Sequence, residues 1–253
     1  MLMRLIFAVG LALVCCLLTS PAKADPALSL PPTYTNSLHL HFVPVAGTDV
    51  LFSTWLTRVQ DYKAYAAATG GTMTAPAFSQ TPTHPVVCVS WEDAKSFCSW
   101  LTDYEHQHNL IPSHAYYRLP TSREWSLAVG LPSNVADDME ESGAAIFPWG
   151  AQWPPPKNAG NYSPGLGIDP FAYTSPVGSF PPNRFDLYDM GGNVWEWCED
   201  IYNGSPDYRV LRGASWRLRD PEDLASGKEI GNKPDLRLDV YGFRIVLALQ
   251  SAK

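Results

Sequence analysis

The chain has 253 residues, with 25 acidic and 18 basic side chains and a net charge of −7, and is long enough for one large domain with its own core. It has no run of basic residues, which argues against nucleic acid and anionic membrane surfaces as partners. Nine Trp, 23 Pro and 18 Gly predict a loop-rich fold held by aromatic clusters.

The N-terminus has the pattern of a secretory signal peptide. Residues 1–24 combine Arg4, an apolar run and a final Ala-Lys-Ala cleavage site. The apolar run is too short to cross a bilayer comfortably, so we predict export without membrane insertion, to the periplasm or beyond the cell. Cys15 and Cys16 suggest a lipoprotein alternative, but neither follows a small residue. The Pro-rich residues 25–37 are expected to be a leader with little order.

Two strands and two helices are predicted between residue 38 and the end of the helix that Ser90 caps. Residues 38–45 alternate as a strand, with His39 and His41 on one face; without a third ligand we read that face as solvated. Residues 57–69 have helical spacing, and residues 85–89 are predicted to be a short strand. The strand leads into a helix capped by Ser90, with an apolar stripe that includes Trp91, Phe97, Cys98 and Leu101.

A second capping box, residues 121–124, opens a further short helix. Arg118 and Glu124 are charged residues in apolar surroundings, and we expect them to form a buried ion pair. Residues 130–146 are interpreted as a variable loop. Residues 147–186 are predicted to have no regular secondary structure. A segment of that length needs additional stabilisation in a compact domain, and metal ions are one possible source.

The stretch from residue 185 to residue 199 is central to the chain. Its two adjacent glycines, at 191 and 192, allow a left-handed turn or a close approach of the backbone. Trp195 and Trp197 alternate with other residues, so both indoles should share one face and be buried. Glu196 lies on the opposite face near Asp189, which suits a hard-cation site. The alternative is a core strand with an acidic edge.

Residues 209–216 and 241–247 are expected to close the sheet. Together the patterns predict one α+β domain over residues 38–253, with short twisted strands, two main helices and no tandem repeat.

Five motifs occur in an order that resembles the formylglycine-generating (sulfatase-modifying factor) family. They are PVVCVSWEDAKSFCSWL, YRLPTSREWSLAV, FPWG, GGNVWEW and the closing pair RVLRGASWR and YGFRIVL. The resemblance covers roughly residues 41–249 and implies an enlarged C-type-lectin-like fold. It does not fix an activity, because the family contains oxidases, other enzymes and binding proteins.

The resemblance also implies two calcium sites made of oxygen donors. The first set is Asn161, the carbonyl of Tyr162, Asp169 and the carbonyl of Phe171. The second set is Asp189, the carbonyls of Gly192 and Val194, and Glu196. The alternative for Asn161 and Asp169 is that they only form local turns.

Copper chemistry is not expected. Oxidases of the family use two cysteines after their GGS(Y/W) motif, and the matching positions fall near Leu218 and Asp223. Thiolates select Cu(I), and these side chains cannot replace them. The three cysteines beyond the signal segment, Cys88, Cys98 and Cys198, form no Cys/His cluster, and we expect buried thiols. The family disulfide from the position of Cys98 is also excluded, because its partner position holds Ile245.

Three functions follow as expectations. The first is an exported, monomeric binding module for a protein or glycan of the cell envelope, with no assigned catalytic residue. Its ligand surface would lie on residues 216–239 and include Trp216, Arg217, Arg219, Asp220, Arg237 and Asp239. The alternative is that this charge-rich loop is simply solvated and binds no ligand. The second is a cysteine-independent enzyme like the siderophore-maturation relatives, and the third is a formylglycine-generating oxidase.

Overall fold

Nine short strands form two sheets in the computed structural model, which describes residues 30–134 and 146–250. In chain order the strands are β1 (Tyr34–Thr35), β2 (His41–Pro44), β3 (Leu51–Ser53), β4 (Ala115–Arg118), β5 (Trp195–Ile201), β6 (Arg209–Arg212), β7 (Glu229–Asn232), β8 (Tyr241–Gly242) and β9 (Val246–Leu249). The first sheet has the order β1-β2-β3-β9-β4 and the second β7-β6-β5-β8, with β5 and β8 parallel. This α+β architecture agrees with the predicted fold class.

The α-helices whose bounds lie wholly within the described residues are α1 (Val59–Thr69), α2 (Trp91–Gln107), α3 (Ser122–Val129) and α4 (Pro221–Leu224). The predicted capping boxes of α2 and α3 are present, since the Ser90 and Thr121 side chains each accept a backbone N–H three residues ahead. Glycine in the left-handed region ends α1 and α3. Arg118 and Glu124 form the expected ion pair, with an Nη2–Oε1 distance of 2.7 Å, but both side chains are half-buried rather than buried.

Strand β5 lies in the centre of the core, as predicted for its two tryptophans. Trp195 is 4% exposed and Trp197 is fully buried. The Trp197 indole N–H donates to the Val89 carbonyl at 3.0 Å, and its ring lies edge-on to Tyr241. Glu196 is also fully buried, so the second face of β5 is interior and the alternative of an acidic edge is wrong.

The predictions for residues 25–45 need two corrections. Strand β1 lies inside the segment expected to be a leader, so the sheet begins before residue 38. His39 has a left-handed φ of 58° and lies outside β2, so it does not share a strand face with His41.

Residues 85–89 form no strand, although Val86, Val87 and Val89 are buried. The Val86 N–H bonds to the carbonyl of Thr57, and Cys88 has a left-handed φ of 57° that breaks an extended ladder. The signal-peptide prediction and most of the predicted variable loop lie outside the described residues. Within the described ranges, no helix is long and apolar enough to cross a membrane.

Candidate functional site

The irregular region is tied to the glycine turn through buried amide groups. The Asn193 N–H donates to the Asn161 carbonyl at 2.7 Å, and the Asn161 side-chain amide donates to the Tyr173 carbonyl at 2.8 Å. The Asn193 side-chain oxygen accepts the Ser175 N–H at 3.0 Å. Asn193 itself takes a left-handed φ of 59°, which asparagine tolerates. Direct hydrogen bonds therefore anchor the long irregular segment.

Gly192 is required at this turn for two reasons. Its φ of 76° is left-handed, and a Cβ atom there would overlap the Asn161 carbonyl oxygen. The close approach lets the Gly192 N–H donate to the Gly213 carbonyl at 2.7 Å. The turn thus brings the irregular region and the segment after β6 into contact.

In the first predicted calcium set, Asp169 contacts the backbone of two other members. Asp169 accepts the backbone N–H groups of Tyr162 at 3.1 Å and of Phe171 at 2.9 Å, so its carboxylate lies beside the two residues whose carbonyls were predicted as ligands. The Phe171 bond is also the local turn considered as the alternative. Asn161 Oδ1 is buried and has no hydrogen-bond partner among the described residues. A buried, unpaired amide oxygen is costly, and a cation would satisfy it.

In the second predicted set, Glu196 is paired with Arg244, which the sequence analysis did not place there. Arg244 donates from Nε to Glu196 Oε2 at 2.6 Å and from Nη2 to Glu196 Oε1 at 3.2 Å, and both side chains are fully buried. The same guanidinium bonds to the carbonyls of Ser53 and Tyr188. Arg244 already supplies positive charge to Glu196, so this set fits an added cation less well than the first.

Asp189, the other carboxylate of the second set, is buried and has a left-handed φ of 55°. Its Oδ2 accepts the Gly178 N–H at 2.8 Å. Burial raises its pKa to about 6, and the neighbouring Arg244 opposes that rise. Nowhere in the described ranges do three or more His, Cys, Asp or Glu side chains form a metal-binding group.

A pocket of about 310 Å³ adjoins the glycine turn. Trp149, Phe180 and several prolines form apolar walls, and Asp189 and Asn183 contribute polar groups. This combination of apolar walls and a few convergent polar groups is typical of small-molecule sites.

Trp216 corrects the predicted ligand surface, because its indole is only 7% exposed. The ring lies edge-on to Phe78 and Tyr173, with centroids 5.7 Å and 5.1 Å away, and its N–H donates to the Asp239 carbonyl at 3.3 Å. Trp216 therefore lies in the buried layer beneath the predicted ligand surface. Tyr173, which is exposed and stacked on Phe78, is the aromatic residue that faces solvent there.

The charged residues of the predicted surface divide into two groups. Arg217 is exposed, lies over the Trp216 ring and donates to both Asp239 carboxylate oxygens at 3.1 Å. Arg219 and Asp220 are also exposed. The Asp220 carbonyl accepts the first backbone hydrogen bonds of helix α4. Arg237 instead reaches helix α2, where it forms two 2.7 Å bonds with Asp93. The fold thus joins Trp216, Arg217 and Asp239 and places Arg237 at a separate edge.

Phe78 and Tyr173 were missed by sequence reasoning. Both lie in irregular segments, where no periodicity marks an aromatic residue as part of a shared surface. The expected positions of the copper ligands, Leu218 and Asp223, are half-buried and carry no thiol.

The three thiols of the described residues are all free. Cys98 and Cys198 are buried, as predicted, whereas Cys88 is partly exposed. Burial raises the pKa of Cys98 to about 12 and that of Cys198 well above its usual value. Burial and Asp239 raise the pKa of Cys88. High thiol pKa values disfavour the thiolate that copper needs.

The chain is similar to proteins of one family. The family model described as sulfatase-modifying factor enzyme 1-like domain matches residues 33–249. Inactive C-alpha-formylglycine-generating enzyme 2 of Bos taurus is 37% identical over 177 residues, which cover 63% of this chain and 49% of that protein. Formylglycine-generating enzyme of Thermomonospora curvata is 32% identical over 203 residues, covering 75% of this chain and 56% of that enzyme. The chain spans about half the length of these curated relatives.

Among solved structures, PvdO from Pseudomonas aeruginosa is similar, with a TM-score of 0.60 and 26% identity. The match covers 79% of this chain and 80% of PvdO.

Proposed function

Since the chain belongs to the family of sulfatase-modifying factor enzyme 1-like domains, we propose that it is an exported, calcium-stabilised binding module for a protein or glycan of the cell envelope. In this proposal it has lost the copper-dependent thiol oxidation of the family's oxidases. The similarity to a relative named as an inactive formylglycine-generating enzyme supports the loss of that activity.

One feature carries the proposal: the cysteine-pair positions that the family resemblance implies fall near Leu218 and Asp223, and residues 202–253 contain no cysteine. Two neighbouring thiolates are needed to hold Cu(I) and to exchange with a substrate thiol. Cys98 lies in helix α2 and Cys198 in strand β5, both buried with raised pKa values. The partly exposed Cys88 has no second thiol beside it among the described residues, since Cys98 and Cys198 are both interior.

Calcium would be held by the first set of oxygen donors. Asn161 Oδ1 and Asp169 would supply the side-chain ligands, and the carbonyls of Tyr162 and Phe171 would complete the set. The support is the buried, unpaired Asn161 oxygen and the Asp169 carboxylate held beside both backbone segments. The ion would stabilise the irregular region without taking part in a reaction.

The ligand surface would be formed by the exposed groups around the Trp216 support. Arg217 is 57% exposed at its side chain, and Tyr173 presents an exposed ring beside it. An exposed arginine and tyrosine over a packed aromatic base have the composition of an interaction hot spot. Arg219 and Asp220 extend this surface.

Two assays test the proposal together. The purified protein, loaded with Cu(I) and supplied with oxygen and a cysteine-containing sulfatase peptide, should give no aldehyde product by mass spectrometry. Immobilised protein should retain a component of an envelope extract, and Arg217→Ala should reduce that retention. Tyr208→Ala, which removes an exposed tyrosine elsewhere, is the matched control. Copper-dependent turnover, or retention unchanged by Arg217→Ala, would contradict the proposal.

A second candidate is a cysteine-independent enzyme, favoured by the pocket of about 310 Å³ that contains Asp189. An Asp with a pKa near 6 is suited to general acid–base work near neutral pH. A small molecule from envelope extract that changes in mass with wild-type protein, but not with Asp189→Asn, would establish it.

A further inference from the structure

A second cavity, of about 340 Å³, has Arg237 of the predicted ligand segment in its lining. Helix α1 contributes Tyr62, the following loop contributes Thr72 and Thr74, and Cys88 lies between them and helix α2. Its volume falls within the range of roughly 300–1,000 Å³ that is usual for small-ligand sites.

The hydroxyl groups of this cavity are positioned by the chain around them. Helix α1 ends at Gly70, whose left-handed conformation turns the chain back. Met73 then packs against the main core, whereas its neighbours Thr72 and Thr74 line the cavity. The two threonines on either side of Met73 thus both line the cavity.

An ion pair closes the opposite wall and sets the charge of the cavity. Arg237 donates from Nε and Nη2 to the two Asp93 oxygens at 2.7 Å, and from Nη1 to the Asp235 carbonyl at 3.3 Å. Burial raises the pKa of Asp93, but hydrogen bonds from Arg237 and Ser90 outweigh that effect and lower it overall. Both groups of the pair are therefore charged at neutral pH, and their charges cancel.

The balanced pair disfavours a charged ligand. An anion would have to displace Asp93 from Arg237, and a cation would have to displace Arg237 from Asp93. Guanidinium has five N–H donors, three of which are used by Asp93 and the Asp235 carbonyl, so others remain for a ligand. Donors and acceptors around a neutral cavity match a molecule that carries several hydroxyl groups.

We propose that this cavity binds one neutral sugar unit of a glycan through Thr72, Thr74 and the Asp93–Arg237 pair. This inference rests on the proposed function and selects glycan over protein as the ligand class. Adjacent sugar hydroxyls would bridge the carboxylate and the guanidinium, while the threonine hydroxyls bond to the opposite edge.

The test uses the full chain, with calcium present and a panel of neutral methyl glycosides and short neutral oligosaccharides. Cys88 provides a built-in reporter, because it lines the cavity and is partly exposed whereas Cys98 and Cys198 are buried. A bound sugar should slow alkylation of Cys88, read by peptide mass mapping, and calorimetry should give a matching affinity. Thr72→Val and Thr74→Val, which keep the side-chain shape, should each weaken binding about tenfold. Thr69→Val in helix α1 is the control, with folding of every variant checked by melting.

The possible outcomes are distinct. Protection of Cys88 by a neutral sugar, reduced by the two valine variants but not by the control, supports the proposal. The proposal is overturned if no sugar of the panel protects Cys88, if phosphate or sulfate protects it instead, or if the valine variants bind normally. If envelope retention depends on Arg217 but not on Thr72 or Thr74, the ligand surface stands and the cavity assignment fails. If Arg217→Ala does not change the retention of the envelope component, the proposed function itself is contradicted.

Discussion

The buried Glu196–Arg244 pair gives the sharpest test of the interior. Both side chains are fully buried, and two hydrogen bonds of 2.6 Å and 3.2 Å join them. Glu196→Gln keeps the size of the side chain but leaves the Arg244 charge without its counter-ion. Breaking one partner of a buried pair costs about 3–5 kcal/mol, because the other charge stays desolvated.

Arg244→Met should cost at least as much, because Arg244 also donates to the carbonyls of Ser53 and Tyr188. The double variant should cost less than the two single losses together, since no unpaired charge remains. For a domain of this size, 1 kcal/mol changes Tm by about 2–4 °C, so Glu196→Gln should lower Tm by about 6–20 °C.

The measurement is denaturant unfolding and calorimetry of the four proteins, with calcium and with EGTA. The loss in Glu196→Gln should be the same in both conditions, because Arg244 rather than calcium neutralises Glu196. A Glu196→Gln protein that melts within a degree or two of wild type refutes the ion-pair reasoning. A loss seen only in calcium would instead identify Glu196 as a calcium ligand.

Three further predictions concern the core and the carboxylates. Trp197→Ala should lower the free energy of unfolding by about 3–5 kcal/mol through cavity formation, whereas the exposed control Tyr208→Ala should change it by less than about 0.5 kcal/mol in denaturant titrations. Calcium should raise the wild-type Tm, and Asp169→Asn should remove most of that rise in a calorimetric calcium titration while Glu196→Gln retains it. Burial raises the pKa of Asp189 in the folded state from 3.8 to about 6. The metal-free folded state therefore binds an extra proton between pH 3.8 and pH 6, and its stability falls as the pH rises through this range. Asp189→Asn should therefore exceed wild type by about 2–3 kcal/mol at pH 8 but not at pH 4; a constant difference across denaturation curves at both pH values would contradict this.

Local features of the fold could be predicted because their causes lie within a few residues. The capping boxes at Ser90 and Thr121 join groups three residues apart, and the shared face of Trp195 and Trp197 follows from strand alternation. The strand expected at residues 85–89 failed because Cys88 takes a left-handed conformation. Nothing in the apolar pattern of that segment announces the break.

The site depended on contacts between distant parts of the chain. Arg244 is 48 residues from Glu196, so the pattern around Glu196 indicated a carboxylate without its partner. Trp216 resembled a surface aromatic beside arginines, but Phe78 and Tyr173 arrive from two irregular segments and bury it. The contacts of Asp169 are local by comparison, because Tyr162, Asp169 and Phe171 are close in sequence and need only a local turn to meet. The calcium site that the family resemblance implies there stays a prediction.

The copper assay tests the central claim, the loss of copper-dependent thiol oxidation, most directly. That claim depends on the absence of the oxidases' cysteine pair, whose positions fall near Leu218 and Asp223. The purified protein should be incubated with Cu(I), oxygen and a cysteine-containing sulfatase peptide, beside a copper-free control. Its peptide mass should remain unchanged in both samples. Copper-dependent conversion of the peptide cysteine to an aldehyde, lost when Cys88, Cys98 or Cys198 is replaced by Ser, would contradict the account.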